Sequence, residues 1–259
     1  MQHKKLLAVL LFATLSCAAQ TKIRLDDFDH KYLDPARWYP IPACYSGAGL
    51  EMECMRTIED GKLRLAHRNF GLRDSDSGSQ FGWATAFINH AETVKSVTSD
   101  LVVRRIDAVP CAANPPFGQA LISASFFNAG TGDPNDDVGA TLAFGRSPSD
   151  PPGELFAYAQ IFHGNQYGIG FVSLGNSSLG TPMTASLAWD QPNHQFLASW
   201  TNKTTHTTTA TTLPYSFSDT APPVNPSKIL EVSDFPSNCT ANPTFVYVDA
   251  LFDNVYITH

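Results

Sequence analysis

The densest set of side chains capable of chemistry lies in one ten-residue run, Glu154-Leu-Phe-Ala-Tyr-Ala-Gln-Ile-Phe-His163. As a β-strand this run sends alternate residues to opposite faces. Glu154, Phe156, Tyr158 and Gln160 then share one face: a carboxylate, two aromatic rings and a carboxamide. Leu155, Ala157, Ala159 and Ile161 share the other, which is small and aliphatic and suits a core. Other carboxylates are less promising. Glu51 and Glu53 form a close pair, but they precede the Gly61–Leu65 strand and fall in a stretch expected to be a disulfide-closed loop. Asp133, Asn135, Asp136 and Asp137 crowd one loop without the spacing or terminal Glu of an EF-hand, so a solvated turn is expected there. His163 enters the turn His163-Gly164-Asn165. The chain has no Gly-x-Ser-x-Gly elbow, no His-Glu-x-x-His, no phosphate-binding glycine loop and no dinucleotide fingerprint.

The elements that must position these residues follow from composition. The chain has 259 residues, with 17 Lys and Arg against 24 Asp and Glu, a net charge of −7, and only 16% charged residues. An acidic chain without a basic face makes nucleic acid an improbable partner. Abundant aromatics, Gly, Pro, Thr and Ser favour strands over helices. Residues 1–19 run from Lys4-Lys5 through an apolar stretch to Ser16-Cys17-Ala18-Ala19, the layout of a secretory signal, with cleavage expected after Ala19. The apolar stretch is too short for a permanent membrane span, so no transmembrane segment is expected. Lipid attachment at Cys17 is the less favoured alternative, because Thr14 stands where a lipobox usually has Leu. The expected product is secreted, extracellular or periplasmic.

Cys44, Cys54, Cys111 and Cys239 remain, an even number in a chain bound for an oxidising compartment, and no Cys-x-x-Cys spacing accompanies them. Disulfides are therefore expected rather than zinc. Of three possible connectivities, Cys44–Cys54 with Cys111–Cys239 is favoured. Strand-like runs recur with turn signals between them, from Lys62–His67 and Thr93–Ile106 through Gln119–Phe127, Val138–Phe144, Glu154–Phe162 and Gly168–Leu174. They continue through Thr184–Trp189, Gln195–Thr201, Thr207–Pro214, Lys228–Val232 and Phe245–Ile257. The threonine-rich tract after Trp200 reads as a hairpin arm, and Asp34–Trp38 as a short helical turn. About a dozen strands predict an all-β fold: a two-sheet antiparallel β-sandwich forming one domain over residues 20–259, with first and last strands adjacent.

The two ends of the chain carry a recognisable signature. Asp26-Asp27-Phe28, Leu33-Asp34-Pro35-Ala36-Arg37-Trp38 and Asp60-Gly61-Lys62-Leu63-Arg64-Leu65 open it, and Val248-Asp249-Ala250-Leu251-Phe252-Asp253-Asn254-Val255-Tyr256-Ile257 closes it. Together they resemble the ends of concanavalin A-like lectin/glucanase domains of the laminarinase and agarase type, a jelly-roll fold. The resemblance implies three further things. The face bearing Glu154 lines the concave groove where glucanases hold substrate, with Phe156 and Tyr158 stacking a sugar ring and Glu154 and Gln160 binding hydroxyls. A structural calcium sits near Asp253, with Asp27 completing its cage. A catalytic Glu-x-Asp-x-x-Glu strand should be present, since glycoside hydrolysis with retention needs two carboxylates about 5–5.5 Å apart. Here Glu154 matches the first Glu, but Phe156 replaces the Asp and Ala159 the second Glu. Some alginate lyases share the sandwich and use a Gln-Ile-His strand; in Gln160-Ile161-Phe162-His163 the inserted Phe162 moves the His to the wrong face.

The leading expectation is therefore a secreted, non-catalytic, monomeric module that binds a polysaccharide or other glycan, or serves a structural role. The alternative is a polysaccharide-degrading hydrolase or lyase with a non-standard catalytic set. Trp83, Trp189 and Trp200 are further aromatic candidates, each expected in the core.

Overall fold

The computed structural model describes residues 21–40, 44–47, 52–111, 115–164 and 166–259. The expected leader with Cys17, and Glu51, lie outside them. Among the described residues, fifteen strands form two antiparallel sheets: β1 (Ile23–Asp26), β2 (Cys44–Ser46), β3 (Met52–Glu59), β4 (Lys62–Phe70), β5 (Gly82–Phe87), β6 (Ser96–Ala108), β7 (Phe117–Asn128), β8 (Asp137–Arg146), β9 (Glu154–His163), β10 (Gln166–Ser178), β11 (Met183–Asp190), β12 (Gln195–Asn202), β13 (Thr208–Pro214), β14 (Lys228–Phe235) and β15 (Phe245–Thr258). One sheet runs β13-β12-β11-β6-β15-β4-β3, and the other runs β10-β9-β8-β7-β14-β5-β2. This is the two-sheet sandwich that the strand rhythm predicts.

The ends of the chain do meet. One edge of β15 pairs with β6; its other edge pairs with β4 up to Phe252 and with β1 from Val255. A register shift between Asp253 and Tyr256 makes the change of partner possible. Within it Asn254 has φ 47°, and the Asp253 carboxylate accepts the Asn254 N–H at 2.7 Å. The Asp253–Asn254 pair thus shapes a bulge.

Alternation along each strand fills the space between the sheets. Leu155, Ala157, Ala159 and Ile161 of β9 join Ile122 and Ala124 of β7, Leu142 and Phe144 of β8, and Leu230 and Val232 of β14 in one apolar core with Leu63, Leu65, Val248, Ala250 and Phe252 of the facing sheet. Buried polar groups interrupt this layer. His67 of β4 and Asp234 of β14 are fully buried and bridge the sheets through Nδ1 and Oδ2 at 2.5 Å. Gly82 leaves room for them, since a Cβ there would lie 2.5 Å from His67 Cε1 and 3.0 Å from Asp234 Oδ1. At the other end of β14, the buried Lys228 ammonium donates to the backbone carbonyls of Ser125 and Ala91 and lies over the Phe126 ring. Burial pushes this amine down to about 7.

Several local expectations are corrected. Met52–Glu59, including Glu53, is the edge strand β3 rather than a loop, and Glu53 pairs with Arg68. Asp34–Trp38, by contrast, is the expected short turn, the Asp34 carbonyl accepting the Arg37 and Trp38 N–H groups and its carboxylate the Ala36 N–H. The acidic loop contains a 3-10 turn, Pro134–Asp136, capped by Asp133, and Asp137 is buried against Asn128 and the Val224 and Asn225 N–H groups. Only part of that loop is solvated.

Cys44 is bonded to Cys54 and Cys111 to Cys239, with Cα separations of 6.2 and 5.9 Å. The second bridge spans 128 residues, so in the chain-entropy model it restricts the unfolded chain far more than the first. Replacing both Cys111 and Cys239 with Ser should cost about 4 kcal/mol and lower the melting temperature by about 10 °C. Replacing Cys44 and Cys54 should cost less. A calorimetric scan giving equal losses for the two pairs would contradict this account.

Candidate functional site

The outer face of the seven-stranded sheet carries a groove of about 560 Å³. Its floor comes from the central strands β8, β7 and β14 and carries the polar side chains Gln119, Ser123, Thr141, Glu231 and Ser233 between the apolar Leu121 and Ile229, with Gln160 of β9 beside them. Its flanks are aromatic. On the β5 side stand Trp83 and Phe87, with Tyr45 of β2 stacked on Trp83 at 5.6 Å. Phe81, Phe235 and Phe117 close one end, Phe81 lying 5.0 Å from Phe235. On the other side are Tyr158 of β9 and Tyr167 of β10, the latter 68% exposed.

Pairing between β7 and β14 brings the floor together, with Gln119 opposite Ser233 and Leu121 opposite Glu231. The polar groups satisfy one another in a directed chain. The Tyr158 hydroxyl donates to Gln119 Oε1. Gln119 Nε2 donates to Ser233 Oγ at 3.0 Å. Ser233 keeps its proton and a second lone pair, and stands beside the Glu231 carboxyl as its hydrogen-bonding neighbour. Glu231 is only 9% exposed. Burial pushes its carboxyl up to about 8; the Ser233 bond opposes the shift and the Asp234 charge adds to it. Glu231 is therefore a protonated acid at neutral pH. Burial also raises the Tyr158 hydroxyl, which stays protonated.

The four residues singled out on β9 are not all in the groove. Tyr158 and Gln160 line it. Phe156 stands beside Tyr158, and their rings stack on each other at 5.8 Å and on Phe171 of β10 at 6.1 and 5.1 Å. Tyr158 is thereby 7% exposed, whereas Phe171 is 51% exposed. Glu154 opens the strand and accepts a hydrogen bond from Asn176. Trp83, expected in the core, is half-buried and lines the groove; Trp200 is in the core, and half-buried Trp189 packs against it. Sequence reasoning missed Gln119, Glu231 and Ser233. The available signal was a lone acid inside the strand Lys228-Ile-Leu-Glu-Val-Ser-Asp-Phe235.

The residues expected to hold calcium do not fit such a cage as arranged. Asp27 is ion-paired with Arg24. Asp253 neighbours Asp100, whose oxygens are taken by Lys203 at 2.7 Å, Thr184 at 2.6 Å and Asn254 at 3.1 Å. Calcium asks for six to eight oxygen ligands, and here cations of the chain already meet these carboxylates. Among the described residues, the one group of three possible ligands is Asp76, Cys111 and Cys239, where the cysteines are bonded to each other and Asp76 caps Thr240.

No family model matches the chain, and no curated protein matches it. Solved structures with a similar strand arrangement include the CBM2 module of the evolved Dit of Lactobacillus casei BL23 phage J-1 (10% identity, 93% of this chain and 98% of that one, TM-score 0.43). Others are Scytalido-glutamic peptidase with a peptide-based transition-state analog (12%, 66% and 73%, 0.41) and peanut lectin with a 9mer peptide (12%, 92% and 98%, 0.40).

Two outcomes follow from the site's electrostatics. An unfolded chain releases the Glu231 proton from about pH 4.3 upward, whereas the folded chain keeps it until about pH 8. Stability from this group is thus lost as pH rises through that window. Glu231→Gln removes the titration, so its melting temperature relative to the parent should rise from pH 4 to pH 8. A constant difference across the window would show that Glu231 is not a buried acid. Because Asp27 is ion-paired with Arg24 and Asp253 accepts the Asn254 N–H, EDTA should leave the melting temperature unchanged, and a fall on chelation would restore a structural metal.

Proposed function

We propose that this groove binds a carbohydrate chain and that the protein is a non-catalytic, glycan-binding module. The observation that carries this reading is the arrangement of aromatic flanks around a hydrogen-bonded polar floor. Pyranose rings have apolar C–H faces and a polar rim of hydroxyls, so they match a site whose sides are aromatic and whose base offers amides, hydroxyls and a carboxyl. In this reading Trp83 and Tyr167 contact sugar faces across the groove. Gln160, Gln119 and Glu231 bind hydroxyls. Tyr158 acts chiefly by orienting Gln119, and Phe156 by backing Tyr158 together with the exposed Phe171. Glu154, held by Asn176, belongs to the rim at the end of β9.

A hydrolase reading has less support. Acid and base or nucleophile must flank the scissile bond in glycoside hydrolysis. Among the described residues lining the groove there is one carboxyl, Glu231. Two disulfides agree with an extracellular protein. No helix among the described residues is long and apolar enough to cross a membrane.

Tyr167 is exposed enough to be removed without touching the core. Tyr167→Ala and Trp83→Ala should each weaken retention on the cognate glycan by about 1–3 kcal/mol, as ordinary binding hot spots do. Tyr158→Phe, which frees Gln119, should weaken it less. Affinity gels over a glycan panel, with circular dichroism to confirm folding, measure this. Unchanged retention in both alanine variants would remove the groove from the reading, and release of new reducing ends from the same glycans would replace binding with hydrolysis.

A further inference from the structure

We infer that the groove selects an uncharged glycan, and that Glu231 reads it by donating its carboxyl proton to an acceptor oxygen on the chain. This rests on the glycan-binding reading above and adds the class of glycan.

The first argument is charge. Among the described residues that line the groove there is no Lys, Arg or His. A uronic-acid or sulfated chain would bring anionic groups over aromatic rings with no cation to meet them, and desolvating an unpaired charge is costly. The protein as a whole is also net negative, so its long-range field repels polyanions. An uncharged chain meets neither penalty.

The second argument is the polarity of the hydrogen-bond chain. Tyr158 donates to Gln119 and Gln119 donates to Ser233, which stands beside the Glu231 carboxyl on the same face of β14. Glu231 ends this row as a buried carboxyl lining a groove whose described residues include no cation. No further hydrogen-bond partner for its carboxyl stands among the described residues. Its own O–H is therefore left for whatever occupies the groove, which must present an oxygen lone pair: a ring oxygen, a glycosidic oxygen or a hydroxyl.

The ionisable groups around Glu231 keep it in that state. Asp234 follows on β14 with its side chain turned to the core, where it is paired with His67 of β4. Tyr158 of β9 and Tyr167 of β10 face it from the far side and are themselves uncharged at neutral pH, as phenols are, with burial raising the Tyr158 hydroxyl further. The neighbouring strands β7, β8 and β5 contribute Gln119, Thr141 and Trp83, none of which titrates. Ionising Glu231 would replace a donor by a buried anion facing the ligand's lone pairs.

Isothermal titration calorimetry of the whole protein with neutral hexasaccharides (cellohexaose, laminarihexaose, mannohexaose) and with hexagalacturonate tests both halves. At pH 7 at least one neutral chain should bind ten-fold or more tightly than hexagalacturonate. Its affinity should hold from pH 6 to 7 and fall five-fold or more by pH 9.5. Glu231→Gln keeps an N–H donor and should bind within a few-fold of the parent at pH 7 with no fall at pH 9.5, while Glu231→Leu should lose at least ten-fold at both. Hexagalacturonate binding as tightly as the neutral chains overturns the charge inference and leaves glycan binding standing. A pH-independent parent, or a Glu231→Leu variant that binds normally, overturns the role of Glu231. If no sugar of either class binds, this inference and the glycan-binding reading both fail.

Discussion

A strand gives its residues alternately to two faces, and in the seven-stranded sheet both faces are covered. The facing sheet covers the inner side, and the aromatic flanks partly cover the outer. Everything else in the site depends on this constraint. β14 must present Leu230 and Val232 to the core while presenting Glu231 and Ser233 to the groove. β7 must do the same with Ala120 and Ile122 against Gln119 and Leu121. A one-residue slip between these strands would exchange the two sets. It would place the Glu231 carboxyl among leucines and a valine in water. The apolar core therefore fixes the register that assembles Gln119, Ser233 and Glu231.

Polar groups survive in so enclosed a setting because they bond one another. His67 and Asp234 do this between the sheets, where burial raises the Asp234 carboxyl and the His67 bond opposes it. Removing one partner of such a pair leaves the other unmet, at a cost of about 3–5 kcal/mol. The groove floor uses the same device with neutral groups. Gln119 accepts from Tyr158 and donates an N–H to Ser233. Burial, against the opposing Ser233 bond, holds the Glu231 carboxyl protonated where solution chemistry would ionise it.

The sequence makes legible what is local and hides what is not. Alternation in Glu154–Ile161 separates groove side from core side correctly because every core position there is small or aliphatic. The adjacency of β1 and β15 follows from motifs at the two ends. β3 is an edge strand with little burial, so Met52-Glu-Cys-Met-Arg-Thr-Ile-Glu59 has no clean pattern of two. β5, Gly82-Trp-Ala-Thr-Ala-Phe87, is short and fills its core side with two alanines, which gives a weak strand signal. Trp83 reads as core from its type alone; its exposure depends on its standing on the face opposite Ala84. Glu231 and Gln119 are 112 positions apart, and only strand pairing brings them together.

The outer faces of the two sheets solve opposite problems. On the eight-stranded sheet, Arg64 and Arg104 close a ring with Glu59 and Asp249, with N–O distances of 2.7 and 2.8 Å. Burial works against the Asp249 charge, but the two guanidinium groups hold its carboxyl below the ordinary value. Two cations matched to two anions leave little for a ligand to gain there, and any charged newcomer would have to displace a bidentate contact. The groove face has no such counter-charges among its lining residues, so its one acid is neutral and its remaining hydrogen-bonding capacity is unspent. Specific recognition favours the second surface, because a ligand that matches its donors gains bonds there without first breaking those the protein makes with itself.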